Sequence, residues 1–374
     1  MEVKELKKIF SQQRSITLLR DYLGNYDNYT VEIAGLSGSS KSLAFSCTVD
    51  EGIHIIVLNT KEEAQYFCAD LYNFTESEKV FFFPSSHTST TSITTIKESS
   101  QRVQRSATIN AINKYMCGEE GMSGYLIIVT YPAAVEEKIL KSDDVKKNVL
   151  KISKGDHLSH EFIKETLLSY KFEKVDFVGE PGQFALRGGI IDLFSFSHNL
   201  PYRIDFFGNE IESIKTFDVN TQRSINEEKC IEIFPNIYDN DTFSALPKVG
   251  FFDYLSDCKY TLWGSDVYTY EGFKLPEECK KVIFKTLSSE KGKSGNERID
   301  FNLLPQPSFN KNFDILSQDI GKRTLDGYKV LISSNNPKQI ERLRNIFSRE
   351  GEKSEQKGVV FEELGISLFE GFID

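Results

Sequence analysis

The apolar positions Val3, Leu6, Ile9, Phe10, Ile16, Leu19 and Leu23 recur at helical spacing across residues 2–23, and the pattern then changes to short apolar runs alternating with amphipathic stretches. Four runs read as strands: Thr30 to Ala34, His54 to Leu58, Val80 to Phe83 and Tyr125 to Val129. Helix-period segments lie between them at Ser42 to Val49, Glu62 to Phe74 and Glu98 to Met116. This alternation predicts βαβ units around a parallel sheet. From about residue 147 the character shifts. A helix over Leu158 to Tyr170 precedes strand-period runs at Phe184 to Arg187, Gly189 to Phe194, Tyr202 to Phe207, Glu210 to Phe217 and Cys230 to Phe234. Gly208-Asn209, between two alternating runs, is a hairpin signal. The α/β alternation resumes with Tyr260 to Trp263 and Lys329 to Ile332. The expected organisation is an α/β fold in which residues 1–146 form one part of a parallel-sheet domain. A small α+β domain is inserted at 147–236, and residues 237–374 complete the sheet domain and add a C-terminal α/β segment. The Ser-, Gly-, Lys- and Glu-rich stretch Leu287 to Glu297 reads as a surface loop, and no internal repeat is apparent.

Composition narrows the function. The 374 residues carry 45 Lys plus Arg against 55 Asp plus Glu, a formal charge of −10, and no third of the chain is net basic. Non-specific affinity for a phosphate backbone depends on cationic neutralisation, so this balance opposes direct binding to duplex DNA. Six scattered cysteines, Cys47, Cys68, Cys117, Cys230, Cys258 and Cys279, read as free thiols of a reducing compartment. His157 and His160 lack the further ligands a zinc site needs and read as a helix start. The charged amphipathic N-terminus and the absence of an 18-residue apolar run imply a cytoplasmic protein, with no membrane partner. No metal, cofactor or catalytic residue is expected.

The segment Gly35-Leu36-Ser37-Gly38-Ser39-Ser40-Lys41-Ser42 follows a strand and opens a helix, the context of a phosphate-binding loop. Gly35, Gly38, Lys41 and Ser42 fit the pattern G-x-x-x-x-G-K-[ST] at their positions in it, or near them, but Ser40 stands where the glycine before the lysine belongs. A Cβ there restricts the conformations that aim consecutive N–H groups at an anion. The strands Tyr125 to Val129 and Tyr260 to Trp263 run into Thr130-Tyr131-Pro132 and Gly264-Ser265, with no Asp-Glu pair to hold magnesium. The loop reads as vestigial rather than as a working ATP site or a coincidence. The Ser- and Thr-dominated run Ser85 to Thr95 reads as a solvated connection, and Lys97, Arg102, Arg105 and Lys114 as the solvated face of the helix after it.

More specific is the stretch Phe184-Ala185-Leu186-Arg187-Gly188-Gly189-Ile190-Ile191-Asp192-Leu193-Phe194. It is followed by Pro201 to Asp218, which contains Tyr202-Arg203-Ile204-Asp205-Phe206-Phe207-Gly208-Asn209-Glu210, and by Thr221-Gln222-Arg223-Ser224. This pattern resembles the UvrA-binding domain shared by two bacterial repair families, the UvrB excision-repair helicases and the Mfd transcription-repair coupling factors. The flanking segments, including Val249 to Leu255, are similar to the degenerate RecA-like (P-loop NTPase-like) halves that surround the domain in both. Three departures favour the coupling factors: Ser40 in the phosphate loop, Gly264-Ser265 in place of an acidic pair, and Ser85 to Thr95 where UvrB carries a tyrosine-rich hairpin.

The resemblance implies an N-terminal UvrB-like adaptor that recruits UvrA to stalled RNA polymerase without ATPase activity of its own. Contacts to RNA polymerase and duplex DNA, and the translocase motor, would then belong to further parts of a longer chain. The alternative is a UvrB-like ATP-dependent helicase acting on damaged DNA. Along Tyr202 to Phe207, Tyr202, Ile204 and Phe206 face one way, and Arg203, Asp205 and Phe207 the other. The second face is expected to be polar except for Phe207, which either meets a partner or packs under the Asn199-Leu200 loop. Arg187, Arg203 and Phe207 are the positions that the resemblance assigns to UvrA contact, while Ala185 replaces an arginine frequent in UvrB.

Overall fold

The structure is a computed structural model that describes residues 3–25, 30–86, 95–118, 122–140, 149–196, 198, 200–235, 246–265, 276, 279–285, 296–303, 308–310, 312–328, 330–334, 337–350 and 359–363. The expected domain boundaries near 146 and 236, most of the run Ser85 to Thr95, Asn199, and the loop from Leu287 up to residue 295 lie outside the described residues. In chain order the elements are α1 (Val3–Ser11), α2 (Arg14–Asn25), β1 (Thr30–Ala34), α3 (Ser40–Thr48), β2 (Gly52–Val57), α4 (Lys61–Phe74), β3 (Val80–Phe82), α5 (Thr95–Met116), β4 (Tyr125–Thr130), α6 (Pro132–Glu136) and β5 (Ile139–Leu140). There follow β6 (Leu150–Ser153), α7 (His160–Ser169), β7 (Glu173–Lys174), β8 (Gln183–Arg187), β9 (Ile190–Leu193), β10 (Tyr202–Phe207), β11 (Glu210–Phe217), β12 (Ser224–Glu228), β13 (Cys230–Ile233), β14 (Lys248–Val249) and α8 (Phe251–Tyr254). The last are β15 (Tyr260–Ser265), β16 (Lys280–Phe284), β17 (Glu297–Asp300), α9 (Phe313–Leu325), β18 (Val330–Ser334), α10 (Pro337–Glu350) and β19 (Val359–Glu363). The chain divides into two compact units, one of Met1–Val80, Gly124–Tyr131 and Tyr260–Asp374, the other of Phe81–Ser123 and Pro132–Lys259.

The first unit is α/β and RecA-like. Its strands lie in the sheet order β17-β1-β16-β15-β2-β4, all paired in parallel. Strand β15, which comes after the second unit in sequence, sits in the interior of this sheet. Parallel strands are covered on both faces and read as continuous apolar runs, and Leu126 to Val129 of β4 are all fully buried. Trp263 is fully buried, stands edge-on to Phe45 at 4.8 Å and donates from Nε1 to His54 Nδ1 at 3.3 Å. The helical pattern of residues 2–23 resolves into two helices that break at Gln12-Gln13, where the apolar spacing jumps from Phe10 to Ile16. At the C-terminal end β18 and β19 pair in parallel, and Leu316, Ile320, Ile332 and Leu343 make a small separate core.

The second unit contains a six-stranded mixed sheet of order β12-β11-β10-β9-β8-β7, antiparallel except for β7 with β8. Helix α7 starts as expected: the Ser159 hydroxyl caps it by accepting from the Phe162 N–H at 3.1 Å. It lays Ile163 and Leu167 on the inner sheet face beside Phe184, Ile191, Ile204 and Phe206. Arg105 departs from the sequence expectation, for it is fully buried rather than on a solvated face. It donates from Nη1 to the Pro84 and Ala134 carbonyls at 2.6 and 3.0 Å, lies 3.4 Å from Glu137 and covers the Phe83 ring at 4.1 Å. A buried guanidinium is tolerated only with such carbonyl and carboxylate partners, and single-helix periodicity does not reveal them.

Candidate functional site

Strand β10 has the alternation its sequence predicts. Tyr202, Ile204 and Phe206 are buried, whereas Phe207 is 78% exposed. The tight turn after it requires a positive φ, which Gly208 supplies at 64°. The outer face differs from expectation in one respect: it carries a small apolar core of its own. Val178, Ala185, Phe194 and Phe217 cluster there, and with Ala185 only 1% exposed no partner reaches it.

Over that small core lies a charged network whose centre the sequence reading missed. Asp192 of β9 stands opposite Arg203 in register and is fully buried. Arg203 grips it with two near-parallel bonds, Nε to Oδ1 at 2.7 Å and Nη2 to Oδ2 at 2.9 Å, and its Nη1 donates to the Gln222 carbonyl at 3.1 Å. Its guanidinium also lies 4.6 Å from the centre of the Phe217 ring. The hydrogen bond to Asp192 is the main reason the Arg203 guanidinium is held above its ordinary pKa. The Arg187 side chain donates its Nη2 to the same carboxylate, faces the Phe177 ring at 5.0 Å, and makes no other side-chain hydrogen bond among the described residues. The side chain of Arg187 is 39% exposed and that of Arg203 18%. Arg203 is therefore mostly a strut, and Arg187 is the arginine that still offers donors outward. The available signal for Asp192 was a lone carboxylate inside the apolar run Ile190 to Phe194, since a charge in a buried strand must be paired. Beside this network, Asp205 accepts from the Ser213 hydroxyl at 2.6 Å and from Lys215 Nζ at 3.1 Å.

The first unit carries the loop that resembles a phosphate site. Gly35 and Gly38 adopt positive φ, 75° and 50°, and a Cβ on Gly35 would lie 2.8 Å from the Asn302 backbone nitrogen. Ser40 folds back on the loop: its Oγ accepts from the Ser37 N–H at 2.8 Å and donates to the Ser37 carbonyl at 2.6 Å. The Ser40 and Lys41 amides donate to the Ser37 and Gly38 carbonyls at 3.1 and 3.3 Å. An anion cradle needs such N–H groups free and convergent, and here three are engaged within the loop. The fully buried Ser42 hydroxyl, the magnesium ligand of a working loop, instead donates to Asp70 Oδ2 at 2.7 Å. At the end of β15, a Cβ on Gly264 would meet the Val57 carbonyl oxygen at 2.9 Å, so the sheet register itself excludes the first residue of an acidic pair. The residues present do not fit a magnesium–nucleotide complex. Among the described residues no three His, Cys, Asp or Glu side chains are grouped to hold a metal, and no helix is long and apolar enough to cross a membrane.

Residues 150–238, which hold this mixed sheet, match the model of the UvrB interaction domain. Over a longer stretch the chain resembles the N-terminal UvrB-like module of transcription-repair coupling factors. It is 31% identical to the transcription-repair-coupling factor of Bacillus subtilis over 206 residues, 54% of this chain and 17% of that protein. It is 41% identical to the Escherichia coli transcription-repair-coupling factor over 88 residues, 24% of this chain and 8% of that protein. The UvrABC system protein B of Clostridium botulinum is 23% identical over 209 residues, 54% of this chain and 32% of that protein. The chain thus spans less than a third of the length of each of these relatives.

Proposed function

We propose that this chain is the UvrA-recruiting, ATP-silent part of a transcription-repair coupling factor, with residues 147–236 as its UvrA-binding domain. The observation that carries the reading is the sheet face that presents exposed Phe207 and, bonded to buried Asp192, the partly exposed Arg187. Exposed aromatics next to arginine on a rigid sheet are the composition of a protein-binding hot spot. An arginine fixed in advance loses little freedom on meeting a carboxylate of the partner. ATP silence is supported by the loop, in which the Ser37 amide and the Ser42 hydroxyl are both spent internally. In this reading RNA polymerase and duplex DNA are contacted by other parts of the coupling factor, consistent with the chain's net charge of −10.

One pair of measurements tests it. Purified UvrA should be retained by the immobilised chain, and ATP with magnesium should leave the melting temperature unchanged. A nucleotide at 100 times its dissociation constant would stabilise its site by about 2.7 kcal/mol. ATP-dependent stabilisation abolished by Lys41→Ala would favour the UvrB-like helicase instead, and failure to retain UvrA would remove the adaptor reading.

A further inference from the structure

The loop between β7 and β8 holds a phenylalanine out in solvent. Phe177 is 66% exposed, yet the backbone around it is tied down. The Val175 N–H donates to the Phe184 carbonyl at 2.9 Å. The Gly179 and Glu180 amides both donate to Gln183 Oε1 at 3.0 Å, and Val178 is 1% exposed in the small outer core. The neighbouring valine is thus buried while the ring is presented, an arrangement that hydrophobic burial does not favour. Arg187 lies against this ring at 5.0 Å and is bonded to Asp192 on its other side, so aromatic and guanidinium hold each other in place.

The strand order puts this pair next to Phe207. Arg187 of β8 is opposite Ile190 of β9, which is opposite Asp205 of β10, and the Phe206 N–H donates to the Gly189 carbonyl at 2.8 Å. Strands β8 and β10 flank β9, so their axes are roughly 10 Å apart. The outer face thereby carries two exposed aromatic rings, Phe177 against the Arg187 guanidinium and Phe207 two strands away, and among the described residues the Arg187 side chain bonds only Asp192.

We infer that Phe177 is a second aromatic anchor of the partner-binding face, and that its partner presents two apolar seats separated by a carboxylate that meets Arg187. The inference rests on the UvrA-binding reading and deepens it: Phe177 helps determine which UvrA surface fits. Anchors of this kind carry a large share of binding energy when seated in a desolvated pocket.

The test measures the affinity of cognate UvrA for the whole 374-residue chain and for Phe177→Ala, Phe177→Leu, Phe207→Ala and Phe162→Ala, with thermal melts of each. Phe162 is 47% exposed but sits on α7, which packs against the opposite sheet face, and serves as the control. The expected result is a loss of about tenfold for Phe177→Ala, an intermediate loss for Phe177→Leu, a loss for Phe207→Ala and none for Phe162→Ala, with melting temperatures unchanged. If Phe207→Ala weakens binding and both Phe177 variants do not, the second anchor is refuted and the UvrA-binding face stands. If wild type binds and no variant on this face weakens it, both the anchor and the face are wrong, and if wild type does not bind, the functional reading fails with them. A fall in melting temperature for Phe177→Leu as well as Phe177→Ala would make the ring structural and overturn the inference.

Discussion

Replacing Arg203 by alanine should damage the fold before it damages any interface. Asp192 is fully buried and accepts two bonds from Arg203, at 2.7 and 2.9 Å, beside one from Arg187. Removing one partner of a buried ion pair leaves an uncompensated charge and costs about 3–5 kcal/mol. Because Arg187 remains, the lower end applies, about 3 kcal/mol, or roughly 6–12 °C in melting temperature for a unit of this size. Arg203→Lys should recover only part of this, since an ammonium cannot make the two parallel bonds of the guanidinium fork. Arg187→Ala leaves the Arg203 fork intact and should cost about 1 kcal/mol or less. The double variant Arg203→Ala/Asp192→Ala should be less destabilised than the sum of its single changes, with a coupling of about 2 kcal/mol. Urea and thermal unfolding of these four variants and of Asp192→Ala alone measure all of this. An Arg203→Ala loss below about 1 kcal/mol, or strictly additive single changes, would refute the buried-clamp reasoning.

Three further outcomes are expected. Phe206→Ala, which removes a 9% exposed ring packed 4.2 Å from His160, should destabilise by about 3–5 kcal/mol, whereas Phe207→Ala should leave the melting temperature within about 1–2 °C; equal losses would misplace the two faces. Gly264→Asp should destabilise the first unit, because its Cβ would sit 2.9 Å from the Val57 carbonyl oxygen, and an unchanged melting temperature would show that the register adjusts freely. Asp218 accepts from the Thr221 N–H at 2.7 Å, which is the main cause holding its carboxyl below the ordinary value. The turn it closes is therefore stabilised above the unfolded pKa and loses that support as pH falls through the lower folded one; an NMR titration placing Asp218 at or above the model-peptide value would contradict it.

The α/β class, the βαβ alternation and the inner face of β10 were legible because period-2 and period-3.6 patterns report burial directly. The departure at Ser40 was legible in the phosphate-loop pattern, but not the internal hydrogen bonds of the loop or the bond from Ser42 to Asp70, which is distant in sequence. Periodicity likewise placed Arg203 and Phe207 on one face without distinguishing their roles. Exposure separates them: Arg203 is occupied by Asp192 from the neighbouring strand, and Phe207 is left 78% exposed. Arg105 was misread for the same reason, since its carbonyl and carboxylate partners lie 21, 29 and 32 positions away in sequence. What a strand or helix shows alone is its pattern. What decides a charged residue's role is the partner that the topology brings to it.

The most direct test of the central claim is a calorimetric titration of cognate UvrA into the wild-type chain and, side by side, into Phe207→Ala. The expected result is saturable binding to wild type and binding about tenfold or more weaker for Phe207→Ala, with identical melting curves. Equal affinities for the two proteins, or no complex with wild type, would contradict it.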